Sequence, residues 1–128
     1  MRKTAVLAAT ALAVILGAGL ARSATEILPL EDVKTGMKGK GRTVFAGNKV
    51  EEFDVEILGV LANTGPKRNA IIARLSGRNL EQTGVLQGMS GSPVYIDGKI
   101  IGAVAFSFSF AKEPIAGITP IGEMLAIA

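Results

Sequence analysis

Residues 88–104 read GMSGSPVYIDGKIIGAV. Two apolar, β-rich runs, PVYI and KIIGAVAF, flank the dipeptide Asp97-Gly98. Asp-Gly between such runs suits a type I′ turn, so the stretch predicts a β-hairpin. Ahead of the hairpin stands the box Gly88-Met89-Ser90-Gly91-Ser92-Pro93. A serine nucleophile needs a hydroxyl presented on a tight turn, backbone N–H groups converging where an oxyanion will form, and a base to take the proton. The box can meet the first two needs. Glycine on either side of Ser90 permits positive φ and the close approach of a substrate. Ser90 is therefore the candidate nucleophile, and the N–H groups of Gly88 and Ser90 are the candidate oxyanion hole. Ser92 is the weaker nucleophile, because there the turn has begun to enter the strand that Pro93 opens. The pattern alone leaves a second reading open, a glycine-rich turn that only feeds the hairpin.

The segments around the box are also short and extended. Upstream, Phe53, Val55 and Ile57 alternate with Asp54 and Glu56, the period of two of a half-buried strand. The acidic residues are expected on its solvated face rather than in a metal or acid–base site. Asn63, Gly65 and Pro66 mark a turn, and Ala70–Ser76 forms a second apolar strand. GRNLEQTGVLQG is a polar connection. Gly39-Lys40-Gly41 lacks Walker spacing and a following helix, so a β-turn is expected there rather than a phosphate loop. Downstream, Phe106, Phe108 and Phe110 alternate with Ser107 and Ser109. These phenylalanines suit a substrate pocket or a buried strand face equally well. Thr119-Pro120 resembles an N-cap followed by proline at the first helical position, which predicts a short C-terminal helix through IGEMLAIA. Short strands with glycine and proline turns point to a mainly β domain, a barrel or sandwich.

The first residues stand apart. Arg2 and Lys3 precede an apolar run from Ala5 to Leu20, and Ala21-Arg22-Ser23 offers small residues at the −3 and −1 positions of a cleavage site. That is the layout of a secretory signal peptide over residues 1–23. The run is shorter than the roughly 20 residues that span a bilayer. Export with cleavage is expected, leaving residues 24–128 as one domain outside the cytoplasm, periplasmic or secreted. Membrane contact is expected only through an uncleaved leader. The chain of 128 residues contains no Cys and no His. Disulfides and thiolate metal sites are excluded, and so is the commonest general base. The net charge is +3, but Arg2 and Lys3 belong to the leader. No basic patch with interleaved aromatics appears, so no nucleic-acid partner is expected. No cofactor or metal is implied.

The box and hairpin, with KVEEFDVEILGV upstream and EPIAGITPIGEML downstream, resemble the SpoIVB-type serine peptidase family, named for the stage IV sporulation protein B. The resemblance covers roughly Leu28 to Leu125, and its most specific part is the box. It implies a chymotrypsin-like β-barrel fold, an extracytoplasmic location and endopeptidase activity on protein or peptide substrates by a Ser/His/Asp arrangement. It maps the nucleophile onto Ser90 and makes the strand around Phe53 structural. The chain departs from the family in two places. It holds no His, and the position matching the family's acid is Ser76 rather than Asp. Glu81 is the nearest carboxylate, and nothing in its spacing marks it as an orienter. Lys99 and Lys112 are the lysines that could form a Ser–Lys dyad. Each has an ordinary role, as a hairpin flank and in a polar loop.

The expectation is a serine endopeptidase domain that is incomplete by itself, with its His supplied by sequence beyond Ala128. Two alternatives are an inactive secreted peptide-binding module on the same fold, and a peptidase that takes its base from a partner chain.

Overall fold

A computed structural model describes residues 25–45, 47–85, 87–108 and 112–127. The leader and Phe110 lie outside them. Six antiparallel strands close a barrel: β1 (Lys38–Val44), β2 (Val50–Gly65), β3 (Arg68–Ser76), β4 (Pro93–Ile96), β5 (Lys99–Ser107) and β6 (Ile115–Pro120). Their order around the barrel is β1-β2-β3-β6-β5-β4, with β4 pairing back onto β1. Among the described residues two short α-helices are added, α1 (Leu80–Thr83) between β3 and β4, and α2 (Ile121–Leu125) after β6. The expected mainly β barrel with a short C-terminal helix is what the chain forms.

Alternation builds the core. Phe53, Val55 and Ile57 of β2 pack with Ile71 and Leu75 of β3, Val94 of β4, Val104 of β5 and Ile118 of β6. Their neighbours in sequence face water as cross-strand ion pairs. Lys40 bonds Asp54, and Arg74 bonds Glu56 at 2.7 Å and Glu113 at 2.9 Å. The acidic residues of β2 thus lie on a solvated face, as expected, and solvent screening keeps each pair a weak contributor. The Asp97-Gly98 turn is also as expected, with φ of +49° and +76° at its two central residues.

Three local expectations are corrected. Gly39-Lys40-Gly41 is not a turn but the middle of β1. A Cβ on Gly41 would overlap the ring of Phe53, and one on Gly39 would overlap the carbonyl of Tyr95. Glycine is needed there so that a neighbour can approach, not so that the chain can turn. Asn63 lies inside β2, in the irregular stretch between Leu61 and Gly65, and the chain reverses only at Gly65–Arg68. Pro120 ends β6 and is itself the cap residue before α2. Pairing of Pro120 with Gly102 keeps it in the sheet, so the first helical residue is Ile121.

The register sorts the loops to two ends. Val44 faces Val50, Asp54 faces Ser76, Arg74 faces Ile115, Ser107 faces Ala116, and Pro93 faces Ala103. The segments 77–92 and 108–114 therefore emerge at one end. The hairpin turns at 65–68 and 97–98 lie at the other. Leu80 and Met89, 0% and 1% exposed, plug the first end.

Candidate active site

The box crosses the plugged end. Gln87–Met89 forms a 3-10 turn, whose i→i+3 bonding draws N–H groups toward the turn's own carbonyls. Met89 is buried beneath it. Ser90 follows on the exposed side. Gly91 has φ +88°, a conformation that favours glycine. Gly88 needs no such freedom, since it sits in the 3-10 turn without positive φ. Only one of the two flanking glycines is therefore required by conformation.

The turn is clamped on its far side. The Gly91 N–H donates to the Val104 carbonyl at 2.6 Å, the Val104 N–H donates to the Ser92 carbonyl at 2.9 Å, and the Ser92 N–H donates to the Met89 carbonyl at 3.0 Å. Ser92 is 6% exposed, so its hydroxyl lies inside the fold and is poorly placed to attack a substrate. The Ser90 hydroxyl is exposed and donates a long, 3.4 Å bond to the Ala105 carbonyl. Ala105 is the residue skipped in the β5–β6 register, between Val104, which faces Ile118, and Phe106, which faces Gly117. A bulge of this kind, one residue left out of the ladder, re-aims the side chains that follow it.

The other candidates separate cleanly. Ser76 ends β3 opposite Asp54. The Glu81 carboxylate accepts the Gly77 N–H at 3.0 Å. That bond holds its pKa below the usual carboxylate value, so Glu81 braces the turn after β3. Lys99 begins β5 at the opposite end of the barrel. Ala105 is six strand positions further on, roughly 20 Å at about 3.3 Å per residue. A dyad of Lys99 with Ser90 is therefore ruled out by length. Lys112 lines a cavity of about 310 Å³ between α1 and the ends of β5 and β6, together with Glu81, Ser107 and Phe108. A larger groove of about 1110 Å³ runs over the ion-paired outer face of β1 and includes no residue of the box. Its charges largely satisfy one another, so it offers no chemistry to Ser90.

Phe106 and Phe108 do not fill the core. They are 45% and 42% exposed, and their rings meet edge to face at 5.5 Å between centroids. Period two carried on from buried Val104 would have turned both inward. The bulge at Ala105 turns them outward, and no residue in AVAFSFSF announces it.

Comparison with known families gives a match over residues 16–125 to the family described as SpoIVB peptidase S55. No curated protein and no solved structure matches the chain.

Proposed function

The chain belongs to the SpoIVB peptidase S55 family, and from that membership we propose that it is the nucleophile-bearing barrel of an exported serine endopeptidase. One observation supports this most. Ser90 stands exposed on a turn whose neighbours on both sides are fixed, Met89 in the core and Gly91 on Val104. Such a residue can meet a substrate without losing its position.

In the proposed reaction the Ser90 Oγ attacks the scissile carbonyl carbon of an exported or membrane-bound protein. The hydroxyl proton passes to a base. The N–H groups of Gly88 and Ser90 stabilise the oxyanion as the 3-10 turn opens around it. With no His among the 128 residues, the base comes from polypeptide outside them that docks at the Ser90 end. The leader, residues 1–23, delivers the barrel outside the cytoplasm.

A second reading, an inactive peptide-binding module, is favoured by the present partner of the Ser90 hydroxyl, a backbone carbonyl rather than a base. Fluorophosphonate labelling of residues 24–128 separates the two, with Ser90→Ala as control and imidazole added as a free base. The expected result is slow labelling of Ser90 that accelerates with imidazole and is absent in the control. A folded chain that stays unlabelled at every imidazole concentration overturns the peptidase reading.

A further inference from the structure

We propose that the chain pairs with a second copy of itself through the outer edge of β2 at residues 58–62, as a two-fold antiparallel ribbon. The surface lies at the barrel end opposite Ser90, and the proposal is independent of the peptidase reading.

The edge follows from the ladders. β1 begins at Lys38, opposite Glu56. One step beyond, the Ile57 N–H donates to the Met37 carbonyl and the Gly36 N–H to the Ile57 carbonyl, both at 2.8 Å. The Thr35 hydroxyl closes that row on the Leu58 carbonyl at 3.3 Å. β2 then runs on to Gly65 with β3 on one side, and among the described residues no strand pairs with the other. Backbone groups of successive strand residues alternate in direction. The Leu75 N–H donates to the Pro114 carbonyl, just ahead of β6. Ile72 and Ala70 therefore turn the other way, to β2, and bond Gly59 and Leu61, the residues they face. Val60, between those two, directs its N–H and C=O into the empty row.

This edge is unprotected. Residues 57–65 contain neither a charge nor a proline. Residues 60–64 are all exposed, Val60 at 39% and Leu61 at 51%. Charge or proline is what keeps an exposed edge single, and an uncharged apolar edge is a template for another strand.

Charge identifies the added strand as a second copy. Lys67 and Arg68 form the tip of the β2–β3 hairpin, and Glu31 and Asp32 lie in the 3-10 turn ahead of Thr35. All four are exposed, and among the described residues none has an ion-pair partner. Lys34 turns its Nζ back onto the Glu31 carbonyl at 2.7 Å. In an antiparallel pair centred on Val60, residue 58 of one copy faces residue 62 of the other. Each hairpin tip then overhangs the place where Thr35 closes the mate's row. Asp32 is three residues from Thr35, at most roughly 11 Å along the chain. The basic tip of each copy thus meets the acidic turn of the other, and the two-fold axis makes the contact twice and closes the assembly at two. Ser90 lies at the far end of each barrel, so both nucleophile turns stay clear of the pairing.

The barrel closes within residues 38–120, so the test uses residues 24–128, followed by sedimentation equilibrium. A small contact of this kind is expected to give a dimer with a Kd of about 10–100 µM at low salt, weakened at least about threefold in 0.5 M salt. Two charge-reversed variants are made, Lys67→Glu with Arg68→Glu, and Glu31→Lys with Asp32→Lys. Each brings like charges together and is expected to dimerise at least about tenfold more weakly, with its melting temperature unchanged. An equimolar mixture of the two is expected to regain about the parent's affinity, because every tip again meets an opposite charge. Amide exchange at Val60, read by NMR, is expected to slow about fivefold between about 10 µM and 1 mM chain. A chain that is monomeric at about 1 mM overturns the proposal. So does a dimer that either variant alone retains, a mixture that stays monomeric, or Val60 exchange that does not change with concentration.

Discussion

Gly88 and Gly91 flank the candidate nucleophile, and one substitution made at each tests what the turn is built from. A Cβ at either position would meet nothing within 4 Å. Tertiary clash is thus absent from both, and the two differ in backbone alone: Gly91 has φ +88°, whereas Gly88 sits in the 3-10 turn. Replacing glycine by alanine restricts the unfolded chain and stabilises by about 0.4–1 kcal/mol where the native φ accepts alanine. Holding an L-residue in a left-handed conformation costs about 1–2 kcal/mol. The net expectation is a gain of up to about 1 kcal/mol for Gly88→Ala and a loss of up to about 1.6 kcal/mol, centred at about 0.8, for Gly91→Ala. The signs are opposite. For a domain of this size each kcal/mol moves the melting temperature by about 4–8 °C. Urea unfolding followed by circular dichroism, with unchanged m-values, measures both. Gly91→Ala also carries a consequence for the site. Its N–H is bonded to Val104 at 2.6 Å, so relaxation of φ pulls Ser90 away from Ala105 and lowers its labelling rate. Two variants that shift stability in the same direction would refute the reasoning, because φ would then not be what distinguishes the glycines.

Two further predictions concern the barrel and its acid limb. Gly41→Ala forces a methyl into the space of the buried Phe53 ring and is expected to destabilise by about 1–3 kcal/mol. Adding Phe53→Leu should recover part of that loss, and strict additivity in the double-mutant cycle would show that the strands simply move apart. The Glu81 carboxyl is held below its ordinary pKa of 4.5, first by the Gly77 N–H. A depressed folded-state pKa means stability that is present above the unfolded value and lost as pH falls through the folded one. Glu81→Gln is therefore expected to flatten the decline of melting temperature below pH 4.5. A decline of equal slope in both proteins, measured down to about pH 2.5, would refute the role of that bond.

Much of this molecule is legible in its residues. The hairpin at Asp97-Gly98 and the strand around Phe53 follow from turn chemistry and a period of two, which are local properties. The box is legible for the same reason, since Gly91 and Pro93 act on their own backbone. Gly39 and Gly41 mislead because their role is not local. They are glycines for the sake of Tyr95 and Phe53, which come to them only across the closed barrel. Pro120 misleads likewise, because its pairing with Gly102 keeps the chain in the sheet for one more residue.

Ser90 could be nominated from six consecutive residues, and the missing base could be counted from composition. The sequence alone thus determined the mainly β character, the candidate nucleophile and the lack of any His to activate it. The outward platform of Phe106 and Phe108 and the exclusion of Lys99 were decided only by the tertiary structure. Each depends on which strands lie side by side and on the single residue skipped at Ala105. A one-residue slip reverses every side chain after it, and pairing across the barrel, rather than any local propensity, selects where that slip occurs.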